Sequence, residues 1–447
     1  MSETALSPSP SAASPASAAP RPKPAGPVLV AIDMGYGHLR PAAALAERLG
    51  TPVQLMDGPP LGDEHDQLWW RRTRKLYEPL SRWTQLPLIG RPAQALLDLI
   101  TAIPPLYPAR DRSAPNAGTK ALVRAARSGI GRALAAHLEK EDAPLLTTFY
   151  AAAVITEVHG RGRIGCVVTD SDVNRAWAPA DPATSRIVYF APAAHTARRL
   201  RSYGVKPENL RITGFPLPHE LLGGPGLEVA KRNLAARLVR LDPGGAFLDA
   251  HSAELERVLG PLPAGARGRP PLLTFAVGGA GAQVGLVAEF LPSLKRLIGE
   301  GRLRLALVAG RRAEVAARLR GFLADAGLAE GEAVSVLEAP DFAGYLARFN
   351  RLLAETDVLW TKPSEMTFFA ALGLPLVTAP PVGVHEGCNR RWAEEWGAAL
   401  PQGDLACAAD WLRDWIDDGV LAAAAWAGFR HLPNRGVYRI AEEMGRI

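Results

Sequence analysis

His38 stands in a glycine turn, Gly35-Tyr36-Gly37-His38, directly after the apolar run Val28–Ile32. An imidazole there can take or give a proton near neutrality, since its unperturbed pKa is about 6.5. Asp170 closes a second apolar run, "IGCVVTD", and is a rival proton acceptor, although an aspartate at a strand end equally serves a turn or a helix cap. Farther along, Glu365 follows "TKPS", and His385, Glu386 and Asn389 fall in "HEGCN". Carboxylates and amides in such loops can bind ligand hydroxyls. Against that, Glu365 in a first helical turn would also complement the helix dipole, and a lone loop histidine carries little information. A second glycine turn follows "PLLTFAV" and holds Gly278, Gly279, Gly281 and Gln283; Arg311 follows "RLALVAG". Small residues where a helix begins leave backbone N–H groups open to an anion. Neither turn is a complete fingerprint. "GYGHLRP" lacks the third glycine of a dinucleotide loop, and "GGAGAQ" has no Lys-Ser/Thr pair.

The elements that must hold these residues repeat one pattern: apolar strand, glycine turn, helix. Pro41 suits a first helical turn and Gly50 the position after the last. Strand-like runs recur at 144–150, 164–170 and 186–192 with helical stretches between them. From about 219 to 267 the chain reads as a loop-rich linker, and at 268 the opening pattern returns, with further strands at 304–310, 333–340, 357–363 and 374–381. Such alternation predicts two doubly wound α/β domains, 28–218 and 268–447, each opening on a glycine turn. In such sheets ligands bind beyond the carboxyl ends of the strands, so two facing domains would put both turns on one cleft.

Composition sets the frame. A chain of 447 residues exceeds what one hydrophobic core usually serves. The 48% hydrophobic and 21% charged content is that of a globular protein, and a net charge of +6 does not support a dedicated nucleic-acid binder. Three scattered cysteines offer neither a disulfide framework nor a zinc site, so a reducing, cytoplasmic setting is expected. Residues 1–27 are rich in Ser, Ala and Pro, too poor in bulky apolar groups to order themselves, and lack the apolar stretch of a secretory signal. No run reaches the ~20 apolar residues of a membrane span.

One stretch, "LWWRRTRKLYEPLSRWTQLPLIGR" (68–91), interleaves Trp69, Trp70, Tyr77 and Trp83 with Arg71, Arg72, Arg74, Lys75 and Arg82. Aromatic and basic side chains together suit the interface of an anionic membrane. The competing reading is an amphipathic helix with its aromatics on the core and its arginines in water.

Taken together these motifs resemble glycosyltransferases of two facing Rossmann-like domains, the GT-B fold. The resemblance is to the group of monogalactosyldiacylglycerol synthases, processive diacylglycerol glucosyltransferases and the peptidoglycan N-acetylglucosaminyltransferase MurG. It rests on Gly35, Gly37 and His38 in the first turn, "VTDSDVNRAW" (168–177), "RITGFPLP" (211–218), the glycines 278, 279 and 281, Gly310-Arg311, and "TKP…ALGLP…PP…HEGCN". These cover nearly all of the chain after residue 27, in order. Two positions depart from the pattern. Phe368 stands where the lipid enzymes carry a ribose-binding glutamate, in a loop about two residues short, and Asn174 stands where a histidine is often found.

What the resemblance implies is transfer of a sugar from a UDP-sugar to an acceptor hydroxyl with inversion, without a metal or other cofactor. The diphosphate would rest on backbone N–H groups of Gly278–Gln283 and on Arg311. Glu365, one helical turn before Phe368, would hold the ribose, and Glu386 and Asn389 the sugar. His38 and Asp170 would be the catalytic candidates, with Gly35, Tyr36 and Gly37 forming the acceptor-side loop. The resembling lipid enzymes dock on membranes through the N-terminal domain, which would make a lipid the acceptor and 68–91 a peripheral membrane contact on the inner face of the plasma membrane. The last helix would return to the first domain. Two other readings stay open: a UDP-sugar 2-epimerase on the same fold, and a non-catalytic glycosyltransferase-like binding subunit.

Overall fold

Two six-stranded, wholly parallel sheets organise the chain. The computed structural model describes residues 26–83 (side chains to 73), 102–160, 162–276, 281 and 283–447. Residues 1–25, Gly278, Gly279 and the side chains of Arg74, Lys75, Tyr77, Arg82 and Trp83 lie outside the described set, and so do the expectations placed on them.

The first sheet is built from β1 (Val28–Ala31), β2 (Val53–Leu55), β3 (Leu145–Thr147), β4 (Ile164–Val167), β5 (Ile187–Ala191) and β6 (Leu210–Ile212), in the order β2-β1-β3-β4-β5-β6. The second has β7 (Leu272–Ala276), β8 (Arg304–Gly310), β9 (Val334–Glu338), β10 (Val358–Thr361), β11 (Leu376–Thr378) and β12 (Ala399–Pro401), in the order β12-β11-β10-β7-β8-β9. Inner strands such as β1, β3, β4 and β7 are buried at every residue. That is why they read as unbroken apolar runs rather than as an alternation: helices cover both faces of a parallel sheet. The two-domain, doubly wound α/β architecture expected from the sequence is the one observed.

Strand order reverses between β1 and β3 in the first sheet and between β7 and β10 in the second. Crevices open at such switch points. Among the described residues, those that follow the four strands are Asp33–Gly35, Thr148, Gly281 with Gln283, and Lys362–Ser364.

Three local expectations need correction. The first helix begins at Tyr36 rather than near Pro41, which lies inside it, so His38 is a helical residue and not a loop residue. Gly35 precedes that helix at φ 112°, a conformation open to glycine, and it makes the early start possible. The segment 219–267 is mostly helical: Glu228–Leu241 and Ala246–Leu259 are helices, and its Gly/Pro clusters mark the breaks. Arg237 of the first of these is buried and donates to the carbonyls of Thr356 (2.9 Å) and Gly373 (2.7 Å), which fastens the helix to the second domain. Trp70 is 2% exposed and packs edge-on to Phe149, 5.5 Å between centroids. It is a core residue of helix Glu64–Trp83 and no part of a membrane-facing surface, whereas Leu68, Arg71 and Arg72 are exposed and Trp69 is half-buried.

After helix Val420–His431 on the second domain, the chain crosses back. Helix Gly436–Met444 packs on helix Tyr36–Leu49. Glu443 accepts from Arg211 at 3.0 Å, and the Tyr438 hydroxyl stands 2.9 Å from His219 Nδ1. Gly165 on β4 leaves room for Met444: a Cβ there would stand 2.6 Å from its sulfur. Among the described residues no helix is long and apolar enough to cross a membrane.

Candidate active site

The two switch points face each other. His38 spans the first: its Nδ1 is 2.7 Å from the Thr148 carbonyl, and the Thr148 hydroxyl donates to the His38 carbonyl at 2.8 Å. Since a carbonyl only accepts, Nδ1 carries the proton, and in the neutral ring Nε2 is the free base. The imidazole is half-buried and edge-on to Phe149 at 5.1 Å. Burial lowers its pKa below 6.5, against the Thr148 hydrogen bond and the charges of Asp170 and Glu365, which raise it; His385 adds to the lowering. These electrostatic partners come from both domains, so His38 lies where the domains meet.

Asp170 is half-buried at the end of the strand-to-loop segment after β4 and accepts from Asn389 Nδ2 at 3.0 Å. The Asn389 carbonyl accepts from the Ser171 backbone N–H and hydroxyl, both at 2.8 Å. Asn389, fully buried on helix Val384–Glu395, therefore bolts one domain to the other. The loop that meets it is held from behind. Asp172 accepts from Arg199 Nε (2.7 Å) and Nη2 (2.9 Å) and from His195 Nε2 (2.9 Å). Burial works against the Asp172 charge, but His195 and Arg199 outweigh it and hold the carboxyl below its ordinary value.

Glu365 opens the short 3-10 helix Glu365–Leu372 and is buried. Its carboxylate is not free: Arg40, two residues beyond His38, donates to it from Nη1 at 2.5 Å. Arg40 Nη2 donates to the Tyr345 hydroxyl, and the guanidinium lies within 5.3 Å of the Tyr36, Tyr345 and Phe349 ring centres. Burial pushes the Tyr345 phenol up to about 12, so it accepts as a neutral group. Burial opposes the charge on Arg40, yet Tyr345 and Glu365 outweigh it and raise its pKa.

The remaining candidates fall into place around this pair. Tyr36 turns to the second domain: it stacks on Tyr345 at 4.7 Å, and its hydroxyl accepts from the Arg311 backbone N–H at 3.2 Å. Gly310 permits that approach, since a Cβ there would sit 2.9 Å from the Tyr36 oxygen. Gly37 is close to Glu365, whose Oε2 would be 3.6 Å from a Cβ at that position. Arg311, a third exposed, faces Asp33 at 3.5 Å. Gly281 and Gln283 both have positive φ, and Gln283 donates to the Pro380 carbonyl at 2.6 Å. Glu386 accepts from Lys362 Nζ (2.6 Å) and the Val382 N–H (2.8 Å). Burial acts against its charge, but Lys362 and His385 hold it below the ordinary carboxylate range. Phe368 is buried and stacks on Phe215 at 4.6 Å, so the position at which the resembling enzymes carry a ribose-binding glutamate is here a core residue between the domains.

Sequence reasoning missed Arg40, Tyr345 and Ser171. Arg40 reads as a solvent-facing residue in an alanine-rich helix. The available signal was helical spacing, since Tyr36 and Arg40 are i and i+4 on one face.

No family model and no curated protein matches the chain. Solved structures do. It is similar to S. aureus MnaA in complex with UDP (12% identity, TM-score 0.49, covering 94% of this chain and 95% of that one). It is similar to Acinetobacter baumannii MurG (13%, 0.48, 95% and 100%) and to the UDP-GlcNAc 2-epimerase of Neisseria meningitidis bound to UDP-GlcNAc (13%, 0.46, 74% and 81%).

Proposed function

We propose that this chain is a glycosyltransferase that moves a sugar from a UDP-sugar to an acceptor hydroxyl with inversion. The observation that carries this reading is the meeting of the two switch points, with His38, Asp170, Asp33 and Arg40 from one domain against Glu365, His385, Asn389 and Arg311 from the other.

The acceptor oxygen attacks the anomeric carbon while the bond from that carbon to the diphosphate breaks, and the bonding pair leaves on UDP. The acceptor proton passes to His38 Nε2, which the Thr148 hydrogen bond leaves as the basic nitrogen. On the donor side Arg311 and the backbone N–H groups of Gly281 and Gln283 supply positive charge for the leaving diphosphate. Glu386 and Asn389 keep unused capacity, the second lone pairs of the carboxylate and one amide hydrogen, with which to hold sugar hydroxyls. A membrane lipid as acceptor is part of the proposal, approached over the exposed Leu68, Arg71 and Arg72.

Calorimetric titration with UDP and a panel of UDP-sugars, followed by transfer assays on lipid acceptors, tests it. Saturable UDP binding with acceptor-dependent release of UDP is expected. Sugar interconversion without an acceptor would replace the transferase by an epimerase, and absence of binding to any nucleotide would overturn the enzyme reading altogether.

A further inference from the structure

Four arginines are buried among the described residues: Arg40, Arg175, Arg199 and Arg237. Three serve their own surroundings. Arg175 and Arg237 donate to backbone carbonyls, and Arg199 forms its ion pair with Asp172 across the loop after β4. Arg40 differs, because its guanidinium crosses from the first domain into the second and ends on a carboxylate at the β10 switch point.

The surroundings of that carboxylate are incompletely satisfied. Arg40 Nε has no hydrogen-bond partner among the described residues, and the hydroxyls of Ser364 and Thr367, in the same turn as Glu365, are also buried without one. Buried donors are normally paired, and each orphan costs free energy until something accepts from it. Three of them around one carboxylate–guanidinium pair call for a polar, oxygen-rich ligand. A guanidinium presents a planar fork that matches phosphate oxygens as well as it matches a carboxylate.

We propose that Arg40 is a ligand of the departing diphosphate, and that Glu365 is its resting counter-ion, displaced when a nucleoside diphosphate enters. The proposal deepens the donor-site reading above and rests on it. In this arrangement Glu365 does not hold the ribose. It keeps a buried cation paired while the cleft is empty and restrains the two domains until the donor arrives. Ser364 and Thr367 then supply hydroxyl donors to the same phosphates.

The test compares UDP with uridine by calorimetry in the wild type, Arg40→Met, Glu365→Gln and the double variant Arg40→Met/Glu365→Gln. Uridine has the base and ribose without the phosphates, so it separates a phosphate contact from general damage. Removing Arg40 alone leaves Glu365 buried and unpaired and threatens folding; the double variant keeps the interior neutral. In the double variant UDP affinity is expected to fall about tenfold or more while uridine affinity holds, the loss of a charge-assisted contact. Glu365→Gln alone is expected to bind UDP more tightly than the wild type. Equal UDP affinity in Glu365→Gln and the double variant would overturn the role of Arg40 and leave the donor site standing. Parallel losses of UDP and uridine would mark Arg40 as structural only. If the wild type binds no UDP, gain of UDP or inorganic pyrophosphate binding in Glu365→Gln still supports the exchange, and its absence sinks both proposals.

Discussion

At the scale of the residue, the proposed reaction rests on His38. Its pKa lies below 6.5 and the neutral form is the base, so transfer should be maximal above that pKa and fall as pH drops through it. The acid limb of kcat/KM is expected at a midpoint below 6.5. His38→Ala should lower turnover by about 10²–10⁴-fold, the usual worth of a positioned base. Asp170 separates two roles. If it acts only through its charge, Asp170→Asn removes a negative charge that raises the His38 pKa, and the acid limb moves to still lower pH with modest loss of turnover. Loss on the scale of His38→Ala, with the limb unmoved, would transfer the base role to Asp170. His38 and Asp170 could be picked out in the sequence because each ends or follows an apolar run. The partner of Glu365 could not, because Arg40 lies 325 residues away and nothing local reports on that separation.

At the scale of the element, the strands were legible and the helix starts less so. Parallel strands buried on both faces leave an unmistakable apolar run, as in "RLALVAG", whose residues 304–310 form β8. Helix Tyr36–Leu49 begins five residues before Pro41 because a positive φ at Gly35 lets the turn close early, a choice sequence spacing does not announce. Aromatic residues were the hardest to place. Phe368, which stands where the resembling enzymes carry a ribose-binding glutamate, stacks on Phe215, and Phe368→Ala should destabilise the protein by about 3–5 kcal/mol, measured by urea unfolding. Trp70, a membrane-facing candidate whose competing reading put it on the core, follows the competing reading and lies against Phe149. Trp70→Ala should lower stability without weakening sedimentation with anionic vesicles. Replacing the exposed Arg71 and Arg72 by alanine should do the reverse, and a pair of variants that leaves vesicle binding unaltered would remove this helix from membrane contact.

At the scale of the molecule, the sequence announced two sheets and two glycine turns, and the resemblance implied that they face, but not which residues hold them so. That follows from long-range pairs such as Asn389 with Ser171 and Tyr36 with Tyr345. These join surfaces that are far apart in the chain and individually unremarkable. Asn389→Ala, which unties Asp170 and Ser171 from the second domain, should increase interdomain opening, seen as a larger radius of gyration in X-ray scattering, with the unfolding midpoint of each domain little changed. An unaltered radius would mean that the Arg40–Glu365 pair and the Tyr36 stack suffice to hold the domains. The return of helix Gly436–Met444 to the first domain has a consequence for how the protein is made. The first sheet leaves the ribosome without a covering helix that is synthesised more than two hundred residues later, by the distance from β6 to Met444. At about 5–20 residues per second that is a wait of roughly 10–50 s. During it the face around Gly165 stays open to water, to chaperones, and to the same helix of an already finished copy.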